Sequence, residues 1–374
     1  MNYKRILLSN HYLCNYAGSE LLTLEKARYF KDKGCEVYVA FFEISERLKK
    51  DFDFIGVEWV DLNRSNTIGC KVFDLFWGHH FTTFNRILIE YGLEPKKVVF
   101  SSLSPYEALE CPPVYFSDLS GLTANSRETA EELKKLGVNE EDIFLFENSV
   151  QDFFFEENEI KKNRKLKKIA VISNHIPREL IGAVDFLKND YDVDLVGVQY
   201  THILVTKEIL SSYDLVITIG RTVQQCFALG VPVYCYDRFG GPGYLNENNF
   251  LKAADFNFSG RCTSIKLSDY DLAKSVVSGY EQALLNLEYL MVVAQERFTY
   301  SVLMSSFLNF SRRKEYRGVS SGLCSLVDRQ LSFYAGLNNK LNESREASDI
   351  EYWLGNRTLS CIQKDIVDEV VFNS

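Results

Sequence analysis

Residues suited to binding an anionic group occur in three short segments of the second half of the chain. Asn174 and His175 stand before Pro177, Gly220 and Arg221 stand before an amphipathic stretch, and the third segment is rich in glycine. Arginine pairs with phosphate oxygens through two parallel hydrogen bonds, and glycine lets the backbone approach them closely. The segments together predict a pocket for a phosphorylated ligand, although each one alone is also typical of a plain turn. The predicted ligand contacts are Asn174, His175, Gly220, Arg221, Thr222, Val223, Gln224, Asp237, Gly240, Gly241, Gly243 and Tyr244.

Side chains able to exchange a proton occur in the first half of the chain. Glu20 stands at the start of a predicted helix, His79 and His80 follow the strand-like residues 72–77, and Asp118 is a further carboxylate. Carboxylates and histidines are the usual general acids and bases of enzymes. Each candidate also has a structural explanation, because a glutamate in a first helical turn complements the helix dipole and a histidine pair at a strand end is often packing.

Two more titratable residues are candidates for the same region. His11 follows the first predicted strand, and either lines a ligand cleft or is a buried, hydrogen-bonded histidine. Glu147 closes the first half of the chain, and for both Asp118 and Glu147 a structural role explains the residue better than catalysis.

The elements that must position these residues alternate between short apolar strands and amphipathic helices. Residues 5–9 and 36–42 are strand-like, and residues 19–33 carry apolar side chains at helical spacing. This alternation predicts the α/β class, with doubly wound parallel sheets covered by helices. Ligands of such sheets bind beyond the carboxyl ends of the strands, so functional residues should follow strands directly. In the second half, the strand-like segments are residues 169–173, 193–196, 215–219 and 232–236.

The pattern predicts two such domains and a helical extension. Between residues 152 and 168 it breaks into blocks of like charge, which are typical of a solvated connection. We therefore predict domains at residues 1–155 and 168–266, with residues 267–374 as a helical segment and C-terminal extension.

Composition excludes several classes of protein. The 374 residues carry a formal net charge of −9, which argues against nucleic acid as a partner. The nine cysteines form no C-x-x-C pair, so free thiols in a reducing compartment are expected, with no zinc site. No apolar run reaches bilayer length, which predicts a cytoplasmic protein, at most peripheral to a membrane. The chain has neither the P-loop motif nor a G-x-G-x-x-G after the first strand.

Several motifs occur in an order that carries a resemblance to a known family. They are residues 15–20, 122–126, 143–150, 213–222 and 228–233. In this order the chain resembles glycosyltransferases of the GT-B fold, especially bacterial enzymes of lipopolysaccharide or capsule synthesis, over roughly residues 4–310.

The resemblance implies two Rossmann-like domains that face a cleft. The second domain would hold a nucleotide-sugar donor through the ligand contacts given above, and the first would hold a glycan or lipid-linked acceptor. Glu20, His79 and Asp118 would then be the catalytic candidates, with Gly18, Ser19 and His80 as acceptor contacts. No cofactor and no metal is expected, because a helix N-terminus and basic residues would neutralise the leaving phosphate. An inner membrane face or other polysaccharide-assembly proteins are further candidate partners.

The chain departs from the family at one motif. Many retaining members carry two glutamates eight positions apart, where this sequence has Ile217 and Gln225. The donor nucleotide and the stereochemical outcome therefore stay open. Two alternatives also remain, namely a nucleotide-sugar epimerase of the same fold, which needs no acceptor, and a non-catalytic glycan-binding or assembly protein.

Overall fold

Two separate sheets organise the chain in the computed structural model, which describes residues 3–16, 18–65, 67–69, 72–156, 164–197, 200–201, 204–343 and 358–372. Residues Met1–Leu145 and Phe307–Ser374 form unit 1, and residues Phe146–Ser306 form unit 2.

Unit 1 contains seven parallel strands in the order β3-β2-β1-β4-β5-β6-β7. These strands are β1 (Arg5–Leu13), β2 (Glu36–Ile44), β3 (Glu58–Asp61), β4 (Leu75–His79), β5 (Val98–Ser102), β6 (Gly121–Ala124) and β7 (Ile143–Leu145). Unit 2 contains five strands in the order β12-β11-β10-β8-β9, with β12 antiparallel to β11. These are β8 (Lys168–Ile172), β9 (Asp192–Val196), β10 (Leu215–Thr218), β11 (Val233–Asp237) and β12 (Gly240–Tyr244).

Helices follow most of the strands, as a doubly wound sheet requires. They are α1 (Gly18–Asp32), α2 (Glu46–Ile55), α3 (Phe81–Phe84, continued by the π-helical turn Asn85–Glu90), α4 (Arg127–Lys135), α5 (Arg178–Leu187), α6 (Lys207–Ser211), α7 (Arg221–Ala228), α8 (Phe250–Asp255), α9 (Asp269–Ser278), α10 (Tyr280–Phe298), α11 (Tyr300–Phe310), α12 (Cys324–Glu343) and α13 (Leu359–Phe372).

The predicted α/β class with two doubly wound sheets is confirmed. Every residue of β4, β5 and β10 is buried, which is the burial expected of strands covered on both faces. In unit 1 the strand order reverses between β1 and β4, and in unit 2 it reverses between β8 and β10. Each of these switch points opens a crevice at the carboxyl ends of its two strands, which is where ligands of open α/β sheets bind.

Some elements differ from the sequence prediction. The strand expected at residues 72–77 is β4, which runs to His79, and β1 continues past residue 9 to Leu13. The glycine-rich segment expected as a loop forms the edge strand β12. A strand is possible there because added Cβ atoms at Gly240 and Gly241 would lie about 2 Å from backbone oxygens, 1.9 Å from Ile265 O and 2.0 Å from Cys235 O, so only glycine permits this close packing.

The chain divides into units at other points than the predicted boundaries. Helices α9 and α10 pack on the second sheet, burying Leu272 and Leu287 in its core, so residues 267–306 belong to unit 2. Phe307 stacks on Trp77 with ring centroids 3.7 Å apart, which places the rest of the extension in unit 1. At the other boundary, Val150 pairs with Thr299 of unit 2. Apolar contact therefore divides the helical segment between the two cores. Residues 157–163 of the predicted connection lie outside the described residues.

No helix in the described ranges is both long enough and apolar enough to cross a bilayer.

Candidate active site

The crevice of unit 2 lies beyond β8 and β10. Asn174 and His175 follow β8 and are exposed, and the backbone N–H of His175 donates to Ser173 Oγ at 3.1 Å. This short turn keeps both side chains at the carboxyl edge of the sheet. Asn174 and His175, two of the predicted ligand contacts, therefore lie at the edge of the sheet that the sequence predicts for them.

Helix α7 begins directly after β10, on the other side of the same crevice. Gly220 occupies its N-cap position with φ 61° and ψ −140°, a conformation essentially restricted to glycine. No side chain caps this helix end, and Arg221 and Thr222 are its first two residues, both half-buried. The dipole of α7 gives this edge a positive end suited to phosphate.

The next two residues of α7 hold the turn in place and do not face a ligand. Val223 is fully buried in the core of unit 2. Gln224 is also buried, and in the amide orientation that satisfies both groups its nitrogen donates to Gly220 O at 2.7 Å and Arg221 O at 3.0 Å. Their predicted role as ligand contacts is therefore replaced by a positioning role, because α7 turns both side chains into the protein.

The carboxylate of Asp237 accepts hydrogen bonds from the loops around it. Its Oδ1 accepts from the Phe239 N–H at 2.8 Å, and its Oδ2 accepts from Ser259 Oγ at 2.6 Å and from the Gly260 N–H at 3.1 Å. Three such bonds stabilise the β11–β12 hairpin. The predicted donor contact at Asp237 is corrected accordingly.

The strand β12 explains the remaining predictions in this segment. Tyr244 donates its hydroxyl to Val276 O at 2.6 Å and packs edge-on against Tyr234. Gly243 has φ 69°, which a side chain would strain, and Gly240 and Gly241 pack against backbone. These four residues serve the packing of an edge strand, so the structure gives them no ligand-facing position.

The crevice of unit 1 is built from side chains that bond to one another. His80 follows β4 with φ 64°. Its Nδ1 accepts from the His11 N–H at 3.1 Å, and its Nε2 lies 3.5 Å from Glu110 Oε1. The other carboxylate oxygen of Glu110 accepts from the Leu103 N–H at 2.8 Å. Because Nδ1 is an acceptor here, the neutral ring carries its proton on Nε2, facing Glu110.

Glu20 borders this network from the first turn of α1. It is buried, and Ser19 Oγ donates to its Oε2 at 3.0 Å. Burial raises the pKa of Glu20, while hydrogen bonds and the nearby His80 act in the opposite direction. A carboxyl group with a raised pKa at a crevice is suited to accept and return a proton. Gly18 begins the same helix, so Gly18, Ser19, Glu20 and His80 are placed at one edge, as predicted.

His79 lies deeper than predicted. It is the last residue of β4, its side chain is 1% exposed, and its Nε2 lies 3.1 Å from Lys26 Nζ. Burial first, and then Lys26, lower the pKa of His79 well below its ordinary value. A ring without access to solvent or substrate does not fit the predicted catalytic role, and the reason is that β4 extends two residues further than its sequence pattern indicated.

Lys26 and Glu110 are the polar residues that sequence reasoning missed. Lys26 is buried on α1, its Nζ lies 3.7 Å from the centroid of the Trp77 ring, and burial lowers its pKa well below the ordinary value. Its position four residues after Leu22 and four before Phe30, both buried, is the signal that could have identified it. Glu110 had no comparable signal, since it lies in the short 3-10 turn Ala108–Glu110.

Two predicted carboxylates lie elsewhere. Asp118 ends a 3-10 turn at the amino end of β6, opposite to the ligand edge, and its carboxylate accepts from Ser320. Glu147 forms two hydrogen bonds of 2.7 Å with Arg297. Asp118 is thus unsuited to the catalytic role predicted for it, and Glu147 is structural, as expected. Among the described residues, no three histidine, cysteine or acidic side chains are grouped to hold a metal ion.

Comparison with known proteins identifies the fold. No protein-family model matches the sequence, and the comparison with curated proteins gives no match. Among solved structures, Anabaena HepE in complex with UDP-glucose is similar with a TM-score of 0.57 and 13% identity, covering 82% of this chain and 98% of HepE. The lipopolysaccharide outer core galactosyltransferase WaaB is similar with a TM-score of 0.52 and 9% identity, covering 82% of this chain and 98% of WaaB. TarM is similar with a TM-score of 0.54 and 10% identity, covering 83% of this chain and 99% of TarM. The chain therefore has the GT-B fold of these glycosyltransferases, with one Rossmann-like unit around each of its two sheets.

Proposed function

We propose that this chain is a glycosyltransferase that moves a sugar from a nucleotide-sugar donor to a glycan or lipid-linked saccharide in surface-polysaccharide synthesis. The observation that carries the proposal is the uncapped start of α7 at the switch point of unit 2, with Gly220 in a glycine-only conformation and Arg221 as the next residue. A GT-B fold supplies the architecture for this chemistry.

The donor would bind along the crevice of unit 2. The backbone of Gly220 and the N–H groups of α7 would receive the phosphates, with Arg221, Thr222, Asn174 and His175 as the side chains within this edge. UDP is the first nucleotide to test, because HepE was crystallised with UDP-glucose and with UDP. We expect the leaving diphosphate to be neutralised by the helix end and Arg221, with no metal required.

The acceptor would bind at unit 1. In the transfer, the bond from the sugar C1 to the phosphate oxygen breaks and a bond from C1 to the acceptor oxygen forms. The acceptor hydroxyl would give its proton to a base, and we assign this role to Glu20, which lies beside Ser19 and near His80. A lipid-linked acceptor would bring a cytoplasmic protein to the inner membrane face as a peripheral partner.

The test is a thermal-shift panel of UDP, GDP, CMP and their sugars. A ligand that binds only the folded chain stabilises it by about 2.7 kcal/mol at a concentration 100 times its Kd, so UDP and one UDP-sugar should raise the Tm. Arg221→Ala should remove most of this shift, whereas Arg313→Ala, an exposed arginine of unit 1, should keep it. A panel in which no nucleotide raises the Tm of the wild-type protein would refute the proposed function.

A second measurement separates transfer from its rivals. With the donor that binds and an extract of bacterial glycolipids as acceptor, UDP release should depend on the acceptor and should fall at least about 100-fold in Glu20→Gln, the range expected for loss of a general base. UDP binding should be unchanged in that variant. An epimerase would convert the donor without acceptor, and a binding protein would release no UDP.

A further inference from the structure

Three aromatic side chains surround His11 at the carboxyl end of β1. We call His11, Tyr12, Phe42 and Tyr334 the aromatic site. The His11 ring centroid lies 4.2 Å from that of Tyr12, 4.7 Å from Phe42 and 6.5 Å from Tyr334. All four side chains are half-buried, so the cluster reaches the surface of unit 1.

His11 gives the aromatic site a neutral polar group. Its Nδ1 lies 2.7 Å from Thr82 Oγ1, and its Nε2 has no hydrogen-bond partner within the described part of the chain. Burial, followed by the nearby His80, lowers the pKa of His11 to about 3, so the ring is uncharged at neutral pH. With Nδ1–H donating to Thr82, the Nε2 atom can accept a hydrogen bond from a ligand hydroxyl.

The C-terminal extension fixes the fourth member of the site. Ser320, four residues before α12, bonds to Asp118 at the amino end of β6. Helix α12 carries Tyr334 to the opposite edge of the sheet, where its ring lies near that of His11. Between them Gln330, 1% exposed, donates to Pro112 O at 2.9 Å and accepts from the Val114 N–H at 3.3 Å. Tyr334 is thus held in position before any ligand arrives, which lowers the entropy cost of binding.

Helix α13 strengthens this attachment. The Leu359 N–H donates to Pro105 O at 2.8 Å, and Ser360 Oγ donates to Glu132 Oε2 at 2.8 Å. Ile362 and Ile366 pack with Phe333 and Tyr334 against Ala108. Helices α12 and α13 therefore pack against the loop that follows β5 and that contains Glu110.

We propose that the aromatic site binds the terminal sugar ring of the acceptor, an inference that rests on the proposed glycosyltransferase function. Aromatic rings pack on the apolar C–H face of a pyranose, and a few placed polar groups fix its orientation. The site offers three rings and one uncharged imidazole, which suits a neutral sugar and not a phosphate. His11 also donates its backbone N–H to His80, so a bound sugar would lie next to the network that Glu20 borders.

The experiment is saturation-transfer NMR of the full chain with four probes, the methyl glycosides of glucose, galactose, mannose and N-acetylglucosamine. At least one should receive saturation from the wild-type protein. Tyr334→Ala and His11→Asn should each reduce that signal at least fivefold, and Tyr334→Phe, which keeps the ring, should retain it. Tyr270→Ala is the matched control, since Tyr270 is a 61% exposed ring of unit 2.

The outcomes distinguish this inference from the proposed function. UDP should still raise the Tm of both variants as in the wild type, because the donor crevice lies in unit 2 and the change is made in unit 1. If UDP binds but no glycoside receives saturation, or if the signal survives in the folded Tyr334→Ala and His11→Asn variants, the aromatic site is not the acceptor site. If UDP itself fails to bind, the proposed function is refuted first.

Discussion

Both crevices lie where the strand order of their sheet reverses, but one is lined mainly by backbone groups and the other by side chains. In unit 2 the edge beyond β8 and β10 is mainly backbone, with a glycine turn, a helix end and the exposed side chains of Asn174 and His175. In unit 1 the edge beyond β1 and β4 is a network of buried side chains that includes His80 and Glu110. Backbone groups can recognise a phosphate whatever sugar it carries, whereas a side-chain network can be altered residue by residue. The comparison thus predicts that the two edges respond to different substitutions.

The largest effect is expected from removing Glu110. In Glu110→Ala, the Leu103 N–H loses its acceptor in a buried site, and His80 loses the carboxylate 3.5 Å from its Nε2, so we expect the free energy of unfolding to fall by about 3 kcal/mol. Urea unfolding followed by tryptophan fluorescence measures this, since Trp59 and Trp77 lie in unit 1. Glu90→Ala, at an exposed pair with Arg86, should cost less than about 0.5 kcal/mol. Equal losses in the two variants would show that the network is not what stabilises this edge.

The next effect is expected at the backbone edge. Gly220→Ala puts a Cβ where φ is 61° and ψ is −140°, so the turn before α7 must shift. We expect UDP affinity to fall at least about tenfold, which corresponds to about 1.4 kcal/mol. Gly34→Ala is the control, because Gly34 has φ 78° with no atom near its Cβ position, and it lies in unit 1. Unchanged affinity in Gly220→Ala, measured by calorimetry, would contradict a backbone-built donor site.

A third effect, on the pH dependence of stability, concerns the buried amine of unit 1. Burial lowers the pKa of Lys26 well below 10.5, so the folded chain binds fewer protons at this site than the unfolded chain does. Stability therefore rises with pH between the folded pKa and 10.5, by at most about 1.4 kcal/mol per pH unit. Lys26→Met should make the rise in stability from pH 7.5 to 9.5 shallower, while Lys33→Met, at an exposed lysine, should leave it unchanged. Parallel stability curves for wild type and Lys26→Met would mean that Lys26 is charged in the folded protein.

Side-chain direction limited what could be predicted about the site. The residues Asn174, Gly220 and Arg221 were found because they directly follow apolar strands, and a strand end fixes which edge they reach. Asp118 stands before β6 and not after it, so it lies at the opposite edge of the sheet from the other candidates. Gln224 and Val223 were assigned to the ligand from their proximity to Arg221, while the helical turn directs them inward. Proximity along the chain therefore indicates a segment, but it does not indicate which side chains of that segment face outward.

The amino-acid sequence alone indicates the α/β class and the alternation of strands and helices, because a parallel sheet covered on both faces requires apolar strands at regular intervals, and these are recognisable without the rest of the fold. It also determined the GT-B resemblance, which depends on the order of motifs along the chain. The folded chain was needed to establish that β12 is a strand, that the helical segment is divided between two units, and that Tyr334 lies beside His11. These facts depend on contacts between residues far apart in the chain, and a pattern of neighbouring residues carries no information about which distant surface will bury it.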